Sequence, residues 1–101
     1  MIFIEGTIFS QYIHEYMDDA EYAAFQWYLV LNPEAGDLIP RSGGLRKIRW
    51  AGKGNGKRGG VRVIYYFKKK DDHIWLLTIY AKNEMENISP RILKLIKEEL
   101  E

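Results

Sequence analysis

Residues 61–80 read VRVIYYFKKKDDHIWLLTIY and contain two strand patterns joined by a short polar turn. The segment Val61–Phe67 is rich in β-branched and aromatic residues, which favour strands. The segment Ile74–Tyr80 is apolar on both faces, as in a central strand that is covered on both sides. With the turn at Lys69–Asp72 between them, the two strands predict the antiparallel centre of a sheet that has helices packed on it.

A third strand is predicted immediately upstream of this pair. Residues Leu45–Ala51 alternate around Ile48 and Trp50. The segment 52–60, GKGNGKRGG, follows as the flexible tip of a long hairpin. A further short strand, Ile2–Glu5, lies near the N-terminus.

The segment between the predicted strands Ile2–Glu5 and Leu45–Ala51 has helical spacing. A first helix ends near Tyr16, and Asp18 with Glu21 three residues later has the form of a capping box that begins a second helix. The second helix extends to Leu31, where the following Asn-Pro dipeptide stops it.

The C-terminal segment begins another helix, because Ser89 has the cap position and Pro90 the first helical position. A connector rich in glycine and proline occupies residues 34–44. The predicted order is therefore β-α-α-β-β-β-α, an α+β fold with a small, mostly antiparallel sheet flanked by helices. With 101 residues the chain has room for one domain, 1–101.

Composition excludes several classes of protein. The 47% hydrophobic content is enough for a packed core, and the absence of cysteine excludes a disulfide scaffold, a thiolate zinc site and a thiol nucleophile. The first residues lack the basic segment of a secretory signal, and the longest uncharged stretch is too short to span a membrane. We therefore expect a cytoplasmic protein without a membrane partner.

The net charge of +1 hides a strong segregation of charge. The window 41–70 contains 11 of the 15 Lys and Arg residues and none of the 14 Asp and Glu residues. The rest of the chain carries 4 positive and 14 negative side chains. Such a concentration of cations is typical of a surface that binds a polyanion, and we expect these side chains to gather on a single surface of the sheet.

The neighbouring residues exclude a dinucleotide-binding motif, a P-loop and a histidine metal site. The glycines at 54, 56 and 59 have dinucleotide-binding spacing, but a strand follows them where that motif needs a helix. Arg58 occupies the position at which a P-loop needs Ser or Thr. The two histidines, His14 and His73, each lack a second histidine at ligand spacing, so we expect neither a metal nor another cofactor.

Strand alternation groups part of the basic window on one face. Lys47 and Arg49 share a face of their strand, and Arg62 shares a face of the next strand with Tyr66. Lys82, just past the last strand, is placed to close the group from the neighbouring side. The residues of the hairpin tip that extend this surface are Lys53, Lys57 and Arg58.

The charge pattern alone favours simple nucleic-acid binding over nuclease chemistry, because attraction to phosphate is generic and catalysis needs a defined geometry. Trp50, Tyr66 and Tyr80 are candidates to stack on bases. Core packing is the favoured interpretation for Trp50 and Tyr80, and both interpretations stay open for Tyr66.

Four ordered motifs resemble one family. They are NPEAG at 32–36, GGLRKIR at 43–49, GKRGGxRxIYY at 56–66 and LTIYxKxE at 77–84. Together they resemble the HigB branch of the RelE/ParE toxin superfamily, and the element order fits at both ends. The resemblance implies the toxin of a type II toxin–antitoxin pair, a metal-independent endoribonuclease that cuts mRNA in the ribosomal A site and stops translation. It also implies a HigA-like antitoxin with a helix-turn-helix domain. The complex then binds operator DNA only through this antitoxin.

The resemblance further implies roles for individual residues. Lys47 and Arg49 match basic positions that contact the scissile phosphate or assist proton transfer, and Arg62 matches the arginine that stabilises the transition state. The fourth catalytic candidate is Lys82. The residues expected to bind RNA or the ribosome are Arg46, Lys53, Lys57, Arg58 and Tyr66.

The sequence departs from the RelE pattern at two positions. Asn83 stands where RelE has a catalytic arginine, and Ser89 lies near the place of its stacking tyrosine. The general acid and the group that activates the attacking hydroxyl are therefore open, with Lys53, Lys57 and Lys82 as candidates. Two other functions also stay open: a ParE-like toxin that inhibits DNA gyrase without nuclease activity, and a non-catalytic RNA-binding module.

Overall fold

A computed structural model of the protein describes residues 1–51, 60–82 and 89–98. Its elements in chain order are β1 (Ile2–Glu5), α1 (Thr7–Tyr16), α2 (Asp19–Leu31), β2 (Asp37–Leu38), β3 (Leu45–Trp50), β4 (Val61–Lys68), a 3₁₀ turn (Lys69–Asp71), β5 (His73–Ala81) and α3 (Pro90–Glu98). The predicted α+β class and the order of the longer elements are confirmed.

Within these described ranges the strands form one mixed sheet in the order β1-β5-β4-β3-β2. β1 pairs with β5 in parallel, and the other neighbouring strands pair antiparallel. β5 therefore lies inside the sheet, which agrees with its apolar character on both faces.

Two apolar clusters cover the two faces of this sheet. Helices α1 and α2 pack on one face, where Phe9, Phe25 and Leu29 contact inward side chains of the central strands. On the other face, Leu93 and Ile96 of α3 pack against a smaller cluster. We call these the α1/α2 face and the α3 face.

A β-bulge changes the alternation of β5. The pairing register between β4 and β5 shifts between Ile64 and Tyr65, and the extra residue on β5 is Leu77. Unbroken alternation would place Tyr80 on the same face as Ile74. Because of the bulge, Ile74 packs on the α1/α2 face and Tyr80 packs on the α3 face.

The structure adds one strand that the sequence pattern does not reveal. Residues Asp37–Leu38, inside the connector 34–44, form β2 and pair with Lys47 and Arg46 of β3. Two residues carry no measurable periodicity, so only the pairing with β3 identifies this segment as a strand.

Candidate nucleic-acid interface

Three side chains form a row across neighbouring strands on the α3 face. Arg49 of β3 is the register partner of Arg62 on β4, and Arg62 is the register partner of Tyr80 on β5. Lys47 shares this face, because it lies two residues before Arg49 on the same strand. The structure thus brings Lys47, Arg49 and Arg62 together.

The two arginines of this row are placed directly opposite each other. Side chains at opposing positions of antiparallel strands have Cβ atoms about 4.5–5.5 Å apart, and like charges there destabilise the pair. Arg49 is exposed and Arg62 is half-buried. Guanidiniums at opposing strand positions can each donate hydrogen bonds to oxygens of one phosphate, so this register is an arrangement suited to binding phosphate.

Tyr80 provides the third member of the row and is buried, with 6% of its surface exposed. Its hydroxyl has no hydrogen-bond partner among the described residues. Burial raises the pKa of the Tyr80 phenol, and the positive charge of Arg62 opposes this rise. The Tyr80 ring thus packs in the smaller core and forms the wall of the site next to Arg62.

Lys82 and Tyr66 lie at opposite ends of the sheet. Lys82 is exposed and directly follows β5, two residues after Tyr80. Tyr66 is half-buried against the cluster under α3, and its ring lies over Gly44. Tyr66 therefore shares the α3 face with Arg62 but is four residues further along β4.

Arg46 is not grouped with the other cations, because alternation along β3 points it to the α1/α2 face. Its guanidinium donates hydrogen bonds to the carbonyl oxygens of Glu34 (3.1 Å) and Gly36 (2.7 Å). The Glu34 carboxylate lies 3.6 Å from the same guanidinium. These contacts fix the start of the connector, a structural role that is separate from the Arg49–Arg62–Tyr80 row.

The expectation that the whole basic window gathers on one surface is therefore wrong in part. Besides Arg46, the cations Lys68, Lys69 and Lys70 lie apart from the row, at the turn between β4 and β5. Lys68 forms an ion pair with Asp71 at 3.0 Å. The alternation of the strands and the position of this turn separate charges that are close in sequence.

Several predicted residues lie outside the described part of the chain: Lys53, Lys57, Arg58 and Asn83. Ser89 is described and is exposed, and its hydroxyl oxygen accepts a hydrogen bond from the Ile92 N–H at 3.3 Å. The predicted helix cap is confirmed.

Trp50 packs in the core, as the favoured interpretation predicts. Its ring meets Phe25 edge-on, with centroids 5.2 Å apart, and Tyr28 at 5.7 Å. It faces α2 and therefore points away from the Arg49–Arg62–Tyr80 row.

A family model described as the RelE toxin of the RelE/RelB toxin–antitoxin system matches residues 36–99. The chain belongs to the RelE toxin family. The matched region runs from β2 through α3 and includes the Arg49–Arg62–Tyr80 row, Lys47 and Lys82.

The fold of this RelE-family toxin is also found in a solved structure. The free-state structure of an E. coli RelE mutant, in which two arginines are replaced by alanine, superimposes with a TM-score of 0.54 at 13% sequence identity. The match covers 84% of this chain and 86% of that chain. At this identity the likeness establishes a common fold.

Family membership makes this toxin one component of a toxin–antitoxin system, which implies an antitoxin partner. In the described ranges, none of the helices has the length and apolar character needed to cross a bilayer. The same ranges contain no group of three His, Asp or Glu side chains arranged to hold a metal ion.

Proposed function

We propose that this toxin is a ribosome-dependent mRNA endoribonuclease of the HigB type, formed by a single domain over residues 1–101. The observation that carries the proposal is the pairing of Arg49 with Arg62 beside the buried Tyr80 on the α3 face of the sheet. Two guanidiniums held side by side can share the non-bridging oxygens of one phosphodiester.

The proposed reaction is a transesterification within the RNA. The ribose 2′-hydroxyl oxygen forms a bond to the adjacent phosphorus, and the bond from phosphorus to the 5′-oxygen of the next nucleotide breaks. The 2′-hydroxyl proton passes to a neutral lysine amine, for which Lys47 and Lys82 are the described candidates, and the leaving 5′-oxygen takes a proton from a lysine ammonium or from solvent water. The products are a 2′,3′-cyclic phosphate and a 5′-hydroxyl.

Electrostatic stabilisation is the main contribution that this surface can make to the reaction. Negative charge builds up on the phosphate oxygens as the new bond forms. Strand pairing fixes the backbone at Arg49 and Arg62 before substrate arrives, which limits the reorganisation needed as this charge develops. Removing one preorganised donor from an oxyanion hole costs about 10²–10³ in rate.

The proposal includes the partners that the family suggests. The antitoxin is a HigA-like protein with a helix-turn-helix domain, the substrate is mRNA in the ribosomal A site, and the toxin meets operator DNA only through the antitoxin. The reaction takes place in the cytoplasm.

The decisive experiment is expression of the Arg62→Ala variant without antitoxin. We expect the wild-type toxin to arrest growth and to produce cuts in phase with codons, seen by primer extension on a reporter mRNA. Arg62→Ala should remove both effects, because it removes one of the two guanidiniums that are proposed to bind the phosphate.

Lys70→Ala is the matched control, since it removes one exposed cation from the turn after β4 and leaves the row intact. Circular dichroism and antitoxin binding show whether each variant is folded. Undiminished cutting by Arg62→Ala would contradict the assigned role. Intact mRNA together with induction of the DNA-damage response would instead indicate a gyrase inhibitor.

A further inference from the structure

A second cationic site lies at the flank of α3. A cavity of about 330 Å³ is lined by Arg41, Ser42, Leu93, Lys94 and Lys97. Its size is within the range of small-ligand pockets. The cavity is next to the start of β3, whereas Arg49 lies near the end of that strand. The rise per residue of a strand places Leu45 and Arg49 about 13 Å apart. The cavity is therefore distinct from the Arg49–Arg62–Tyr80 row.

The backbone that presents Arg41 is held in an unusual conformation. Arg41 has a φ of 61°, in the left-handed region that non-glycine residues rarely adopt. The adjacent Ser42 is buried, and its hydroxyl donates to the Ile39 carbonyl oxygen (2.6 Å) and accepts from the Leu45 N–H (3.0 Å). These bonds stabilise the turn that places Arg41 in the wall of the cavity.

The opposite wall comes from α3, which brings Lys94 and Lys97 to the same cavity. The Lys97 amine lies over Gly43, where φ is 75° and a β-carbon would collide with the lysine side chain. The left-handed φ at position 43 is a conformation that glycine adopts without strain. Leu93, at the base of this helix face, gives the cavity an apolar floor.

The charge of the cavity is uncompensated in the described structure. Three of its five lining residues are cations and none is acidic. Across residues 1–51, 60–82 and 89–98, no ion pair involves Arg41, Lys94 or Lys97. A cavity lined by one guanidinium and two ammonium groups suits an oxyanion with several acceptor oxygens.

We propose that this cavity binds a backbone phosphate of ribosomal RNA, as a docking contact that is separate from the cleavage row. The inference rests on the proposed function, since it assumes that the toxin meets the ribosome. An RNA is favoured over an acidic peptide because Lys47 lies on the same side of the sheet, between the cavity and Arg49. A ribosomal RNA strand at the cavity would thus lie beside the mRNA at the row, with Lys47 between the two polyanions.

The test compares two double variants that each remove two positive charges. Arg41→Asn with Lys94→Gln removes two of the three positive side chains that line the cavity. Asparagine tolerates the left-handed backbone at position 41. Lys69→Gln with Lys70→Gln removes two exposed cations from the nearby turn, which does not line the cavity. Both are titrated against 70S ribosomes carrying an mRNA whose A-site codon has 2′-O-methyl riboses, which block cleavage.

We expect the cavity variant to bind ribosomes at least about tenfold more weakly near 0.1 M salt, with a shallower dependence of log Kd on log salt. The turn variant should stay close to the wild type. Equal weakening of both variants, or unchanged affinity of the cavity variant, would overturn the inference. Weaker antitoxin binding with normal ribosome binding would also overturn it and would assign the cavity to an acidic protein segment.

The same titration separates this inference from the proposed function. A wild-type toxin that binds ribosomes but leaves unmethylated mRNA intact would contradict the nuclease proposal. The comparison of the two double variants would still decide the role of the cavity. A wild-type toxin that does not bind ribosomes at all would overturn both.

Discussion

At the scale of single residues, the Tyr65 hydroxyl holds the segment of chain that leads into β3. The side chain is fully buried, and its hydroxyl donates to the Pro33 carbonyl oxygen and accepts from the Gly36 N–H, both at 2.9 Å. Pro33 directly precedes the connector 34–44, and Gly36 lies within it. A buried backbone group without a partner is costly, so the Tyr65 hydroxyl supports the turn that leads into β3.

We therefore predict that Tyr65→Phe destabilises the protein by about 1–3 kcal/mol, the usual cost of leaving a buried polar group without its partner. For a domain of this size, that corresponds to a fall in Tm of at least about 4 °C, measurable by thermal unfolding. Tyr12→Phe, at an exposed tyrosine of α1, is the control and should change Tm little. Equal effects of the two substitutions would show that the Tyr65 hydroxyl does not hold the connector.

At the scale of elements, the start of α2 is fixed by the residue that caps it, Asp18. The Asp18 side chain accepts a hydrogen bond from the Glu21 N–H at 2.7 Å, so the predicted N-terminal cap is confirmed. The helix carries Phe25 and Leu29 into the larger core, where Phe25 contacts Trp50. A stable start of α2 therefore supports the packing behind the strand that bears Lys47 and Arg49.

We predict that Asp18→Ala lowers the free energy of unfolding by about 1 kcal/mol, the typical cost of losing an N-cap. Chemical denaturation with urea measures the change. Asp18→Asn is the matched control, since it keeps an oxygen acceptor and removes the charge, and it should retain most of the stability. If the asparagine variant were as unstable as the alanine variant, charge at the helix terminus would be the main contribution instead of the hydrogen bond.

At the scale of the whole molecule, tyrosines with a raised pKa occupy three separate places. Burial and a hydrogen bond to Glu5 raise the pKa of Tyr22, and burial raises the pKa of Tyr65 and of Tyr80. A raised pKa in the folded state means that the unfolded chain releases these protons at lower pH. Above a pH of about 10, the unfolded state thus binds fewer protons than the native state, and stability falls as pH rises.

We accordingly predict an alkaline loss of stability that is absent near neutral pH. The free energy of unfolding should be unaffected by these groups below about pH 9 and should decline progressively above about pH 10. Urea denaturation across this range measures the decline, and Tyr22→Phe should make it shallower. Tyr12→Phe should leave the slope unchanged, and an equal effect of both variants would contradict the assignment to Tyr22.

Much of the fold could be predicted because its signals are local. The cap at Asp18, the Ser-Pro start of α3 and the apolar segment of β5 each depend on neighbouring residues only. Part of the candidate site has the same origin, since Lys47 and Arg49 share a face through simple strand alternation. The pattern did not associate Arg41 with Lys94, because no periodicity connects a loop residue with a helix that comes 50 positions later.

The amino-acid sequence by itself determined the α+β class, the strand that bears Lys47 and Arg49, and a basic middle third in an otherwise acidic chain. Only the tertiary structure decided which of those cations meet. The register of β3 with β4 sets Arg49 opposite Arg62, and the bulge at Leu77 turns Tyr80 to the same side. The physical reason is that propensity and alternation act between neighbours, whereas register and bulges are fixed by packing between distant segments.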